Sequence, residues 1–157
     1  MEYILPCVYS FFACLAVGMV FNLQKDHLII AAVDGAFGWA AYLFSHYFIA
    51  NDIICYFISG VAIALFAEVL ARVCKCPVSS FLTVSIIPTV PGGGMYYTME
   101  YFIRGDIAMF STTGLRTLSI AGAIALGIVM VASVVRLWKT MQRPTYFQPW
   151  ANQNGGK

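Results

Sequence analysis

Long apolar stretches are the feature that most limits what this chain can fold into. Five of them run for about 20 residues each, the length that a helix needs to cross the hydrocarbon core of a bilayer. Charged residues make up only 10% of the chain, against about 25% in ordinary globular domains. Because backbone groups in lipid must be hydrogen-bonded internally, such stretches predict helices. We therefore expect an all-α integral membrane protein with spans at about 3–22, 28–49, 53–73, 80–103 and 117–138.

The nine basic residues predict the orientation of these spans. With five complete crossings, seven of them fall on one side and only Arg104 and Arg116 on the other. The positive-inside rule then places the N-terminus outside and the C-terminus in the cytoplasm. A re-entrant fourth stretch would instead divide the basic residues five to four. Five crossings fit better, and they predict a transmembrane domain at 1–139 and a flexible cytoplasmic tail at 140–157.

The fourth apolar stretch is interrupted near its middle by two prolines and three consecutive glycines. Proline removes a backbone donor, and glycine costs about 1 kcal/mol relative to alanine inside a helix. Irregular backbone at membrane depth is tolerated only where protein buries it or where it lines a watery cavity. Transporters place their binding sites at such breaks. The predicted substrate-binding residues are Pro88, Pro91, Gly92, Gly93, Gly94 and Tyr96.

Two carboxylates lie inside predicted spans, Asp34 in the second and Glu68 in the third. A charge at that depth costs at least about 2.5–3.5 kcal/mol on insertion scales, so it marks a functional candidate. We predict both as proton-coupling residues of a carrier. The structural alternatives are a helix-locking hydrogen bond for Asp34 and an ion pair with Arg72, four residues on, for Glu68. Glu100 is expected to pair with Arg104 at the interface, with a role in gating as the alternative.

Other chemistries find little support in the chain. No phosphate-binding loop, nucleophile elbow or zinc-protease helix motif is present. Cys74 and Cys76 are close in sequence, but no neighbouring histidine or second cysteine pair completes the four ligands of a structural metal site. The formal net charge of +2 is too small to suggest nucleic acid as a partner. The sequence therefore predicts no enzyme, metal or cofactor.

Small residues spaced four apart occur on the third and fifth predicted spans, as in Gly60–Ala64 and Ala123–Gly127. Such spacing lets helices approach closely in a membrane. It suits packing within the chain as well as contacts between copies, so a homo-oligomer stays open beside the contact with membrane lipid.

Several short motifs follow one another along the chain. They are Gly35-x-x-Gly-Trp39 with Tyr42, Cys76-Pro-Val, Ile87-Pro-x-Val-Pro-Gly92 with Tyr96, and the small-residue run at 120–127. Their order resembles the small, YjjB-like half of the threonine/serine exporter family, over nearly the whole chain. The resemblance implies a multi-pass carrier of the bacterial inner membrane that exports threonine and serine, or a dicarboxylate such as succinate, and uses the proton gradient. It also implies a separate, larger YjjP-like subunit, since this chain resembles only the smaller half.

The sequence leaves two alternatives to a carrier. One is a non-transporting scaffold or assembly subunit that stabilises a partner protein. The other is a membrane enzyme acting on lipid, which would need a nucleophile or a metal set beside the break. Neutralising Asp34 and Glu68 separates the carrier from the scaffold, because only the carrier needs their charge.

Overall fold

The structure is a computed structural model that describes residues 4–142, without the side chains of residues 25, 26 and 142. Every regular element in this range is helical, which confirms the all-α prediction. The remainder of the predicted tail, residues 143–157, lies outside the described residues. The elements are α1 (Ile4–Val20), α2 (Lys25–Phe48), α3 (Asp52–Cys74), α4 (Val78–Ser85), a 3₁₀ turn (Ile87–Thr89), α5 (Gly92–Ile103) and α6 (Ile107–Gln142).

Three of these helices, α2, α3 and α6, are long and apolar enough to cross a membrane by length and composition. A fourth crossing is available if α4 and α5, which are bent by 55° at the break, count as one span. Helix α1 is apolar but has only 17 residues, or about 26 Å at a rise of 1.5 Å per residue. The chain is therefore a multi-pass membrane protein, in agreement with the predicted class.

The connection expected at residues 104–116 is mostly helical, which corrects the sequence analysis. Helix α6 begins at Ile107, well before residue 117, and it runs for 36 residues to Gln142. Its start is capped by the Asp106 carboxylate, which accepts the Met109 N–H at 3.1 Å. The hydroxyls of Ser111 and Thr112 bond back to the Ala108 carbonyl, so the polar side chains of this stretch are satisfied within the helix.

Helix α2 is bound to three neighbours through buried serine hydroxyls. Each neighbouring helix donates one hydroxyl to a backbone carbonyl of α2, an interaction that holds helices together where lipid offers no other partner. The three carbonyls belong to residues between Ala31 and Gly38 of α2. The three bonds are Ser10 Oγ to Gly35 O (3.1 Å), Ser59 Oγ to Gly38 O (2.7 Å) and Ser85 Oγ to Ala31 O (3.1 Å).

Helices α3 and α6 run in the same direction and touch backbone to backbone. A Cβ atom added at Gly60 would lie 2.9 Å from the Ile124 carbonyl oxygen, and one at Gly127 would lie 2.8 Å from the Phe57 carbonyl oxygen. The predicted small-residue contact is thus confirmed for Gly60 and Gly127. The shared direction follows from Asp52 meeting Arg116 near one end of the pair and Glu68 meeting Lys139 near the other.

We expect Gly60→Ala to destabilise the folded protein by roughly 1–3 kcal/mol, the usual cost of forcing extra atoms into a packed contact. Gly122→Ala is the matched control, since it lies on the same interacting pair of helices and a Cβ there meets nothing within 4 Å. Both substitutions gain the same helix propensity, so the difference in melting temperature of the purified proteins reports packing alone. Equal melting temperatures would contradict the close contact.

Candidate functional site

The break between α4 and α5 is built from the two prolines. Pro88 lies at the start of the 3₁₀ turn, and Pro91 occupies the position just before α5. The buried Thr89 stabilises the turn because its hydroxyl donates to the Ile86 carbonyl at 2.7 Å. The predicted interruption is therefore present. By geometry, the bent pair is either one broken crossing or a re-entrant segment.

The first turn of α5 leaves backbone donors open. Pro91 has no side chain that could cap the helix, and no other side chain caps it. The Gly92 N–H donates to the Val90 carbonyl at 2.7 Å, and the Met95 N–H donates to the Pro91 carbonyl at 3.1 Å. Within the described part of the chain, the N–H groups of Gly93 and Gly94 therefore have no acceptor. Open amides at a helix N-terminus favour an anionic ligand.

Gly93 and Gly94 line a cavity of about 430 Å³ that lies between four helices. The broken element forms one wall, and the other walls come from α2, α3 and α6. Aromatic and charged side chains line it together, which gives it an apolar body and a few polar groups, as small-molecule sites usually have. The lining residues are Trp39, Tyr42, Asp52, Tyr56, Pro88, Val90, Pro91, Gly92, Gly93, Gly94, Tyr97, Thr113, Arg116, Thr117 and Ile120.

One carboxylate joins three helices at this cavity. Asp52, the first residue of α3, forms an ion pair with Arg116 of α6. The other Asp52 oxygen lies 3.3 Å from Nε2 of His46, in the last turn of α2. Below this cluster, the rings of Tyr42 and Tyr56 are in contact, with centroids 4.5 Å apart. The cavity therefore presents a negative and a positive side chain together with open amide donors.

Five of the six predicted substrate-binding residues line this cavity, namely Pro88, Pro91 and the three glycines. Tyr96 does not line it and is 66% exposed, while its neighbour Tyr97 does line it. Asp52 and Arg116 were not predicted as site residues, because each lies near a predicted helix boundary and resembles an ordinary interfacial charge. They are recognised as site residues only from their contact in the structure, because they are 64 positions apart in the sequence.

Asp34 lies apart from the cavity, in the core between α1, α2 and α4. Its side chain is completely buried, and among residues 4–142 neither carboxyl oxygen has a hydrogen-bond partner. Ser85 lies close by, but its hydroxyl donates to the Ala31 carbonyl. The Ser85 hydroxyl can still accept a hydrogen bond from a protonated Asp34 carboxyl group, so the helix-locking hydrogen bond considered for Asp34 stays open as the structural alternative. An unpartnered carboxyl at this depth is costly to bury.

Glu68 lies between α3 and α6, away from the neighbours of Asp34. Its carboxylate is 3.9 Å from Nε of Arg72, the partner in the structural alternative to proton coupling, and 3.5 Å from Nζ of Lys139, which was not considered. Leu65, Val69 and Trp138 surround this cluster. The two intramembrane carboxylates therefore face different neighbours and are not brought together at one site.

Only one of the three glycines is required by packing. A Cβ atom at Gly94 would lie 2.5 Å from Oγ1 of Thr117, whereas one at Gly93 meets nothing within 4 Å. The Thr117 hydroxyl is fixed by its hydrogen bond to the Thr113 carbonyl at 2.8 Å, so it cannot move without cost.

We expect Gly94→Ala to separate α5 from α6 and to lower the free energy of unfolding by roughly 1–3 kcal/mol. Gly93→Ala is the matched control, and its melting temperature should equal or exceed that of the unchanged protein, since alanine favours the helix. Differential scanning fluorimetry of the purified variants measures both. Equal destabilisation by the two substitutions would contradict the close approach at Gly94.

Comparison with known proteins agrees with the resemblance seen in the motifs. No curated protein and no solved structure matches the chain. The sequence profile of the family described as "Threonine/Serine exporter, ThrE" matches residues 6–134, which covers most of the chain and includes the broken element, Asp34, Glu68 and Arg116. That family consists of membrane exporters rather than enzymes. The chain therefore belongs to the threonine/serine exporter family, ThrE, of membrane transporters.

Proposed function

We propose that this chain is the smaller, YjjB-like component of a two-component carrier in the bacterial inner membrane. The carrier exports a small polar metabolite, either threonine and serine or a dicarboxylate such as succinate, and it uses the proton gradient. The observation that carries the proposal is the cavity at the helix break, where open amides, Asp52 and Arg116 converge. A site of this composition can hold a small charged solute without a cofactor.

The chain crosses the membrane five times in this proposal, with the N-terminus outside and the C-terminus in the cytoplasm. The distribution of basic residues supports it. The shared direction of α3 and α6 supports it independently, because one complete crossing by α4 and α5 returns the chain to the side where α3 began. A re-entrant α4–α5 pair would instead send α6 in the opposite direction to α3.

The substrate binds in the cavity through its charges. Its carboxylate accepts hydrogen bonds from the open N–H groups of Gly93 and Gly94 and is attracted by the Arg116 guanidinium. An ammonium group, where the substrate has one, is attracted by Asp52. Because Asp52 is the first residue of α3, this site lies toward the outer face in the proposed orientation, where an exported solute is released.

Asp34 and Glu68 carry the protons in this proposal. Both lie in the cytoplasmic half of the membrane in the proposed orientation, on the inner side of the cavity. Asp34 is completely buried and without a partner among the described residues, and intramembrane carboxylates serve as proton relays in pumps and transporters. Glu68 takes up and releases its proton beside two cations, Arg72 and Lys139.

A larger, YjjP-like subunit completes the carrier. Helix α5 supports this part of the proposal, because it packs only against α6 within the described chain and none of its residues is buried. A helix that forms one wall of a cavity and has a single neighbour leaves space for another protein beside it.

Export of labelled threonine and labelled succinate from cells tests the proposal. Cells that express this chain together with its larger partner should export one of the two solutes, and cells that express either chain alone should not. Export by this chain alone would refute the two-component carrier. Absence of export of both solutes by the pair, with both proteins present in the membrane, would refute the proposed substrates.

A further inference from the structure

A second cluster of reactive side chains lies at the other end of the bundle from the cavity. Cys76 lies in the short connection between α3 and α4, and His27 lies in the first turn of α2. The Cys76 sulfur is 3.1 Å from Nε2 of His27, within hydrogen-bond distance. The two residues are 49 positions apart, so this pairing is invisible in the sequence. Neither residue belongs to the cavity or to the Asp34 and Glu68 positions.

Both groups are fixed in place by their surroundings. The His27 ring packs edge-on against Phe81, with centroids 5.9 Å apart. The Cys76 backbone N–H donates to the Ala71 carbonyl at 3.1 Å, after a left-handed Lys75 with a φ of 55° that ends α3. The fold therefore holds the thiol and the imidazole next to each other.

We propose that Cys76 is a reactive thiol, activated by His27 and modified by low-molecular-weight disulfides such as glutathione disulfide. The thiolate is the nucleophile in thiol–disulfide exchange. Nε2 of His27 accepts the thiol proton, and the Cys76 sulfur attacks one sulfur of the disulfide. The disulfide bond breaks as the new sulfur–sulfur bond forms. The leaving thiolate then takes the proton from His27 and departs as one molecule of free thiol.

Three other cysteines, Cys14, Cys55 and Cys74, lack this arrangement. Cys14 and Cys55 are completely buried, and their thiols lie against the backbone carbonyls of Val84 and Ile49. Cys74 is partly buried, as Cys76 is, but its thiol has no hydrogen-bond partner among residues 4–142. No set of three potential metal ligands occurs in the same range, so the pair is suited to thiol chemistry rather than to a metal.

Cys74 is a matched internal control, because it lies two residues from Cys76 at a similar depth. The full chain in membrane vesicles is incubated with glutathione disulfide, and peptide mass spectrometry follows the modification of each cysteine with time. We expect Cys76 to be modified about tenfold faster than Cys74, or more, because only Cys76 has a general base beside it. Equal rates for the two thiols would overturn the proposal, and this comparison needs no substitution.

His27→Gln tests the role of the imidazole. The Cys76 rate should fall to about the Cys74 rate, while the Cys74 rate stays unchanged. A Cys76 rate that is unchanged in a folded His27→Gln protein would overturn activation by His27. Neither result depends on transport, so failure of the proposed function leaves this inference intact and failure of this inference leaves the proposed function intact.

Discussion

Asp34→Asn is expected to reduce gradient-driven export by about tenfold or more, a change of at least about 1.4 kcal/mol in the barrier. The amide has nearly the shape of the carboxyl group but cannot release a proton. The protein should remain folded and at least as stable, because the carboxyl group has no hydrogen-bond partner to lose among the described residues. Export driven by a proton gradient in membrane vesicles gives the activity, and the melting temperature of the purified variant gives the stability.

Exchange of labelled for unlabelled substrate makes this test specific. A carrier without its proton-coupling group should lose gradient-driven export but keep exchange, since exchange needs the substrate site alone. Ser45→Ala is the control, because Ser45 is a buried polar residue of the same helix whose hydroxyl bonds only to the Ala41 carbonyl. Normal export by Asp34→Asn would contradict the proton-coupling role and favour the scaffold alternative.

Arg116→Gln and Asp52→Asn are each expected to lower export by about tenfold, since charged hydrogen bonds contribute about 1.5–3 kcal/mol. Unfolding would not explain such a loss. Arg116 is 68% exposed and Asp52 is 26% exposed, and exposed ion pairs contribute only about 0–1 kcal/mol to stability. Initial export rates over a range of internal substrate concentrations should show the loss as weaker binding.

The Glu100–Arg104 pair offers a closely matched control for these substitutions. Its side chains are 28% and 69% exposed, and their charged atoms are 2.5 Å apart. Neither residue lines the cavity, so Arg104→Gln should leave export unchanged. Exchanging the charges, with Asp52→Arg and Arg116→Asp together, should not restore export, because the substrate would meet reversed charges. Restored export would show that the pair only holds α3 and α6 together.

Local patterns in the sequence were sufficient for the helices and for the break. Apolar stretches, the two prolines and the three glycines act on their own neighbours, so their effects can be read from the order of residues. The same holds for two pairs that lie four positions apart, Glu100–Arg104, which was predicted, and Glu68–Arg72, which was the structural alternative to a proton-coupling role for Glu68. Each of these features depends on residues that lie close together in the sequence.

Contacts between side chains of different helices were not predicted. The contact of Asp52 with His46 and Arg116 needs three helices to meet, and the contact of Cys76 with His27 needs the end of α3 to meet the start of α2. Tyr97 rather than Tyr96 lines the cavity because the rotation of α5 about its axis is set by the close approach of Gly94 to Thr117. The helical start of α6 was missed because the capping role of Asp106 was overlooked.

The backbone contact between α3 and α6 has a mechanical consequence. Gly60 touches α6 at Ile124, near the middle of a helix about 54 Å long, so this contact can serve as a fulcrum. A tilt of about 5° about this point moves Arg116 by about 1 Å and Lys139 by about 2 Å in opposite directions. A tilt of α6 about this contact would therefore displace Arg116 and Lys139, and with them the Asp52 and Glu68 ion pairs, in opposite directions.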